Sequence, residues 1–214
     1  MAAIIGKKLG MTQVFAEDGT RIPVTVIEAG PCPVTAVRDP ERDGYAAVQL
    51  GFGATDERKL SKAELGHLKK ADAPPVHTLV EFRDEAGELK VGDSVTVSSF
   101  EPGQLVKVSG VSVGKGFQGT IRRHGFSRGP KTHGSRNYRR PGSIGASADP
   151  ARVFPGRRMP GRMGGVRASE SRLEVVEVDA ERNLLLIRGS VPGPANATVE
   201  VRSEDAGESG GDEE

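Results

Sequence analysis

The chain has 214 residues, of which 36% are apolar, so it can bury one sizeable core and contains no apolar run long enough to span a membrane. Its single cysteine, Cys32, excludes an internal disulfide framework and is typical of a reducing cytoplasm, where we expect the protein to reside. The net charge of +1 conceals a strong segregation: residues 115–167 hold 13 Lys or Arg and one acid, which gives +12 and leaves −11 for all other residues.

Most of the sequence outside this basic stretch is predicted to form short β-strands. In chain order the predicted strands are TQVF, RIPVTVIEAG, PVTAVRD, YAAVQLGFG, DSVTVSSF, LVKVSGVSV, RLEVVEV, NLLLIRG and ATVEVR. The turns EDGT and DAER each join two of them as a hairpin, and Gly110 suggests a bulge or bend. So many short strands between regularly spaced turns indicate a closed or nearly closed β-barrel.

One helix is predicted at residues 60–71, LSKAELGHLKKA. Ser61 and Glu64 have the spacing of a capping box, and Pro74-Pro75 ends the helix. We expect this helix to pack over one end of the barrel. The last twelve residues, 203–214, contain six acids and no base, so we expect an acidic tail that is disordered.

The basic stretch has the composition of neither a core nor a simple linker. Between Gly125 and Ala168 there is no helical period and no sustained alternation, and glycine and proline recur throughout. Arginine makes bidentate contacts to phosphate, aromatic rings stack on unpaired bases, and glycine lets a backbone approach a bulky partner. A segment that combines these residue types is expected to order itself against folded RNA; the plainer alternative is a solvated, disordered loop.

The candidate RNA-binding residues are the basic, aromatic and histidine side chains of this stretch, together with two lysines near the N-terminus that could equally form a solvated hairpin end. They are Lys7, Lys8, Lys115, Phe117, Arg122, Arg123, His124, Arg128, Lys131, His133, Arg136, Tyr138, Arg139, Arg140, Arg152, Arg157, Arg158, Arg162 and Arg167. The predicted domains are a globular β domain of residues 1–114 and 169–202, a basic extension of residues 115–168, and the tail.

Other motifs do not predict a cofactor, a metal or a catalytic site. GKGFQG, residues 114–119, matches a dinucleotide-binding pattern, but a poor helix follows it and Arg139-Arg140 stands where an acid is needed. His124 and His133 have no cysteine or carboxylate beside them, and Cys32 has no neighbouring base. An enzyme for an anionic substrate therefore has little support, whereas a general nucleic-acid-binding or chaperone protein with a basic loop stays open.

Five motifs in order resemble the bacterial form of the large-subunit ribosomal protein L-three family over roughly residues 1–202. They are GKKLGMTQVF, GKGFQGTIRRHGF, THGS with RRPGSIG, RRMPGRMGG and DAERNLLLIRGSVPG. The resemblance implies a mainly β fold, with a six-stranded translation-protein-type barrel, a small helix and a long irregular extension. It also implies a structural, non-enzymatic protein of the large (50S) subunit that binds 23S ribosomal RNA near its 3′ end and nucleates subunit assembly.

The same resemblance implies partners and a position for the extension. The partners are the 23S RNA and the ribosomal proteins L-fourteen and L-nineteen, with no membrane, cofactor, metal or small-molecule substrate. The extension runs toward the peptidyl transferase centre, and its tip matches Ser143, Ile144, Gly145, Ala146, Ser147, Ala148, Asp149 and Pro150. Some relatives carry a methylated glutamine where this chain has Ala148, so we expect no such methylation here.

Overall fold

The computed structural model describes residues 2–83 and 89–204, which divide into two compact units. The barrel unit contains the described residues up to Ser112 and from Arg167 onward, and the extension unit is Val113–Val166. Ser203 ends the last strand, and residues 205–214 of the expected acidic tail lie outside the described residues.

The described ranges contain twelve strands and three short α-helices. In chain order the strands are β1 (Ala3–Phe15), β2 (Arg21–Ala29), β3 (Cys32–Arg38), β4 (Ala47–Ala54), β5 (Val76–Arg83), β6 (Ser94–Val95), β7 (Leu105–Val111), β8 (Phe117–Gln118), β9 (Gly161–Arg162), β10 (Arg167–Asp179), β11 (Leu184–Arg188) and β12 (Thr198–Ser203). The helices are α1 (Pro40–Asp43), α2 (Lys62–Lys70) and α3 (Thr120–His124), and 3₁₀ turns lie at Glu57–Lys59 and Val97–Ser99.

Six strands of the barrel unit form a closed antiparallel barrel in the order β1-β12-β7-β10-β11-β2. The hairpins predicted from the turns EDGT and DAER are both present, as β1–β2 and β10–β11. Apolar residues that alternate along the strands meet inside, where Ile4, Ile27, Val108, Leu185 and Val201 are completely buried. Each of these six strands pairs with two neighbours in the closed barrel, which confirms the predicted mainly β fold with a six-stranded barrel.

A four-stranded antiparallel sheet of order β5-β4-β3-β6 extends the same hydrophobic core. Its Val48, Leu50 and Phe82 are at most 2% exposed and belong to one cluster with the barrel residues. Gly51 is required by close packing, because a Cβ there would lie 2.8 Å from Cγ2 of Val76.

Helix α2 begins with the capping box that the sequence predicts. Ser61 Oγ accepts a hydrogen bond from the Glu64 backbone N–H at 3.3 Å, and the Glu64 carboxylate accepts one from the Ser61 N–H at 2.8 Å. Leu68 is the buried residue of the helix. His67 Nε2 lies 2.6 Å from Gln49 Oε1 of β4, so one polar contact joins the helix to the second sheet.

Two segments differ from the strands that the sequence predicts. In DSVTVSSF, only Ser94–Val95 is a strand and Val97–Ser99 is a 3₁₀ turn. Gly110 pairs in regular register with both Ala168 and Val199, so it marks no bulge. A Cβ at Gly110 would come 3.2 Å from Cγ1 of Val199, which makes close approach of the strands the reason for glycine.

Candidate nucleic-acid interface

The extension unit has a small ordered base made by its two ends. Strand β8 pairs with β9, so Phe117 faces Arg162, and the backbone N–H of Lys115 donates to the Met163 carbonyl at 2.9 Å. The Met163 N–H returns a bond to the Gly116 carbonyl at 2.9 Å. Backbone hydrogen bonds therefore join the start and the end of the extension unit, and the rest of the unit forms a loop between them.

Helix α3 fastens this base through the carbonyl oxygen of Met159. Arg123 Nη1 donates to that oxygen at 2.7 Å, and His124 Nε2 lies 3.0 Å from it. The Arg123 guanidinium occupies the space beside Gly161, where a Cβ would lie 2.6 Å from Nη1. Both side chains, which the sequence assigns to RNA, are half-buried and contact the protein itself.

The segment from Lys131 to Arg158 has little packing of its own. Every residue in it except Pro150 is exposed. Its few hydrogen bonds include Arg157 Nη2 to the Ser143 carbonyl at 2.8 Å and Ser143 Oγ to the Gly145 carbonyl at 3.0 Å. His133 is among these exposed residues and has a positive φ of 54°. The chain is thus folded back on itself by turns and not by a buried core.

The cations of the extension unit are not neutralised by ion pairs. Among the residues that the structure describes, no ion pair involves a Lys or Arg of Val113–Val166. The eleven that are exposed are Lys115, Arg122, Arg128, Lys131, Arg136, Arg139, Arg140, Arg152, Arg157, Arg158 and Arg162. Such a concentration of positive charge repels itself and is relieved by a polyanion.

Three Phe or Tyr rings of this unit are exposed, and two of them lie beside cations. Phe117 is 75% exposed, which makes its face available for stacking. Lys131 Nζ lies 5.9 Å from the centre of the Tyr138 ring, and Arg152 lies 5.5 Å from that of Phe154. A base could therefore stack on a ring while its phosphate contacts the neighbouring cation.

The predicted tip, Ser143–Pro150, forms one wall of an open depression of about 450 Å³. The lining runs from Ile144 to Ala148 and from Ala151 to Val153. Small side chains and backbone dominate this lining, so shape and hydrogen bonding are what it offers a partner. It holds no acid–base pair that could do chemistry.

The three remaining candidates lie in the barrel unit. Lys7 is half-exposed, whereas Lys8 is 9% exposed and its Nζ donates to the carbonyls of Val191 and Gly193 at 3.0 and 3.2 Å. Arg167 forms an ion pair with Glu200. The ammonium of Lys8 therefore serves the fold, a role that the spacing of the sequence does not signal.

No group of three or more potential metal ligands occurs within residues 2–83 and 89–204. Burial raises the pKa of the Cys32 thiol to about 11, so that thiol is protonated and a poor nucleophile at neutral pH. Of the helices that are described, none has both the length and the apolar character needed to cross a membrane.

Comparison with known proteins gives consistent matches. The model of the family described as ribosomal protein L3 matches residues 62–184. The chain is 52% identical over 200 residues to the large ribosomal subunit protein uL3 of Acaryochloris marina, covering 93% of this chain and 94% of that protein. It is 50% identical over 199 residues to the protein of the same name from Thermosynechococcus vestitus, covering 92% and 94%.

Proposed function

The chain belongs to the ribosomal protein L3 family, and from that premise we propose that it is a structural constituent of the large ribosomal subunit that binds 23S ribosomal RNA near its 3′ end. The observation that carries the proposal is the set of eleven exposed Lys and Arg side chains in the extension unit, which have no ion pair among the described residues. Ribosomal RNA supplies the phosphates that these cations need.

The mechanism is the ordering of the extension by RNA. Each arginine that contacts a phosphate releases condensed counterions, and this gain offsets the entropy lost when the exposed segment from Lys131 to Arg158 is fixed. The rings of Phe117, Tyr138 and Phe154 add stacking on unpaired bases. The base of the unit keeps the two chains together so that they enter the RNA as a pair.

Within the subunit, the tip Ser143–Pro150 lies toward the peptidyl transferase centre, and Arg139, Arg140, Arg152, Arg157, Arg158 and Arg162 line the path. The small residues of the tip support the shape of the RNA, and peptide-bond chemistry belongs to the RNA. The barrel unit lies near the subunit surface beside the ribosomal proteins L-fourteen and L-nineteen. The protein works in the cytoplasm, where its early binding nucleates assembly.

The proposal is tested by the salt dependence of binding. The full chain is titrated with a transcript of the 3′-terminal domain of 23S RNA at several KCl concentrations. With roughly 6–8 phosphate contacts, the logarithm of the association constant should fall against the logarithm of salt with a slope of about −4 to −7. A slope near zero contradicts the proposal, and so does equal competition by duplex DNA, which a general nucleic-acid binder would show.

A further inference from the structure

The first hairpin of the barrel runs past its neighbours on one side. Pairing of β1 with β12 stops at Lys7, whereas pairing of β1 with β2 continues to Phe15 opposite Arg21. Pairing of β2 with β11 covers only Val24–Glu28. The part of the hairpin from residue 9 to residue 23 is thus a two-stranded ribbon, here called the hairpin ribbon.

One face of the hairpin ribbon continues the barrel core outward. Met11 lies opposite Thr25, which is completely buried and shares its side of β2 with the core residue Ile27. Because side chains alternate along a strand, Gln13 and Phe15 lie on the same face of β1 as Met11. The core-facing side of this hairpin therefore continues past the ends of the neighbouring strands, where no described strand covers it.

This face leaves large apolar groups in solvent. Met11 is 53% exposed and Phe15 is 63% exposed, and Pro23 is exposed on the strand opposite. We call these three residues the hairpin patch. Methionine and phenylalanine are enriched in the buried centres of protein interfaces, where a few such anchors carry most of the binding energy.

The hairpin ribbon carries a small net negative charge, which its turn supplies. From residue 9 to residue 23 the charged side chains are Glu17 and Asp18 in the turn and Arg21 opposite Phe15, which gives the ribbon a net charge of −1. Asp18 accepts bonds from the Thr20 hydroxyl at 2.7 Å and its N–H at 2.9 Å, and these bonds hold the pKa of that carboxyl below its usual value. The turn therefore presents a fixed negative charge, which repels phosphate and attracts Lys or Arg.

We propose that the hairpin patch docks another protein of the large subunit, one that presents an apolar depression bordered by Lys or Arg side chains. Phe15 and Met11 enter the depression, and Glu17 and Asp18 face its basic border. The inference rests on the proposed function, because it needs the chain to be part of the subunit. It assigns protein contact to the ribbon and leaves RNA contact to the extension unit.

The test compares one photoreactive residue at two positions. A tagged full chain carries p-benzoylphenylalanine in place of Phe15 or, as the control, in place of Phe154 of the extension unit. Large subunits that contain each variant are purified by sedimentation and irradiated, and crosslinks to protein and RNA are measured separately. Both positions are exposed, 63% and 60%, so neither replacement disturbs a core.

The inference expects more protein than RNA crosslinking at position 15, to one identified subunit protein, and the reverse at position 154. Crosslinks at position 15 to RNA or to a second copy of this chain, or the absence of any crosslink there, overturn it. Glu17→Lys in the same chain should reduce the protein crosslink several-fold, and an unchanged yield would show that no basic border faces Glu17. If neither variant sediments with large subunits, the proposed function fails first, and the inference falls with it.

Discussion

The base of the extension unit depends on one residue, Met159, through its backbone carbonyl oxygen. This oxygen accepts a hydrogen bond from Arg123 and lies within hydrogen-bond distance of His124, and both residues belong to helix α3. Hydrogen bonds to a charged donor are about twice as strong as neutral ones. A basic residue inside the segment that we propose binds RNA can thus stabilise the protein's own fold, and sequence composition does not separate the two roles.

Gly164 is a second residue on which this base depends. Its φ is +68°, and a Cβ there would overlap the carbonyl oxygen of Val113, so Gly164→Ala should open the base and speed hydrogen exchange at the amides of Lys115 and Met163. Gly116→Ala is the matched control. It also has a positive φ, of +66°, but nothing lies within 4 Å of its Cβ, so its cost is about 1–2 kcal/mol from the left-handed conformation alone. Equal protection in the two variants would contradict the packing argument.

Substitution of Lys8 should affect stability, whereas substitution of Lys7 should affect RNA binding. Lys8→Met removes the donor to the carbonyls of Val191 and Gly193, so the free energy of unfolding should fall by about 1.5–3 kcal/mol. Lys7→Met should leave stability nearly unchanged and make the salt slope of RNA binding shallower by up to about 1. Chemical denaturation and the RNA titration measure the two effects. A stable Lys8→Met protein with a shallower slope would assign Lys8 to the RNA instead.

At the scale of elements, helix α2 provides a test of its cap. Ser61→Ala removes the hydroxyl that accepts from the Glu64 N–H, so the unfolding free energy should fall by about 1 kcal/mol. Lys62→Ala changes the next exposed residue without touching the cap and serves as the control. Thermal denaturation at neutral pH measures both, and a Tm for Ser61→Ala equal to that of the control would refute the role of the cap.

The cap also has a defined pH dependence. Hydrogen bonds from the Ser61 N–H and hydroxyl lower the pKa of Glu64 from its usual 4.5. Because the folded pKa lies below the unfolded one, the stabilisation is present above pH 4.5 and is lost as the pH falls through the folded pKa. The stability difference between the native chain and the Ser61→Ala variant should therefore shrink in acid. A constant difference between pH 7 and pH 3 would show that Glu64 does not take part.

The elements that the sequence predicts well are those whose signal is local. The capping box of α2 and the hairpin turns at EDGT and DAER need only a few adjacent residues, and all three are present. Strand β5 was not predicted, because Pro74-Pro75 before VHTLVEFR was interpreted only as the end of the helix; the strand is set by its pairing with β4. The second half of DSVTVSSF forms a turn because Val97 and Phe100 are both drawn into the core, which no local pattern reveals.

The candidate site was predictable as a segment but not as a set of contacts. Charge segregation alone marks the extension, since 12 of the 30 Lys and Arg fall between Val113 and Val166. Which of them face outward depends on tertiary structure, as Arg123 shows by turning to the Met159 carbonyl. The apolar face of the hairpin ribbon was also missed, because alternation of Met11 and Phe15 looks the same whether a face is covered or open.

At the scale of the whole molecule, the two units should contribute unequally to RNA binding. Arg139→Gln combined with Arg140→Gln removes two exposed cations of the extension unit, so the salt slope should become shallower by about 1.4–1.8 and affinity should fall for any sequence of the RNA. Arg182→Gln with Arg172→Gln removes the same charge from exposed positions of the barrel unit and is the control. Equal losses in the two double variants would mean that binding follows net charge and not the extension.

The pairing of β1 with β12 has a consequence for synthesis on the ribosome. Ala3 pairs with Arg202, so the barrel cannot close until nearly the whole chain has been translated. The extension unit ends at Val166, and at about 5–20 residues per second the final strand follows several seconds later. During that interval the extension unit is already synthesised while the barrel is still open, so the RNA contact that we propose for the extension can begin before the barrel closes.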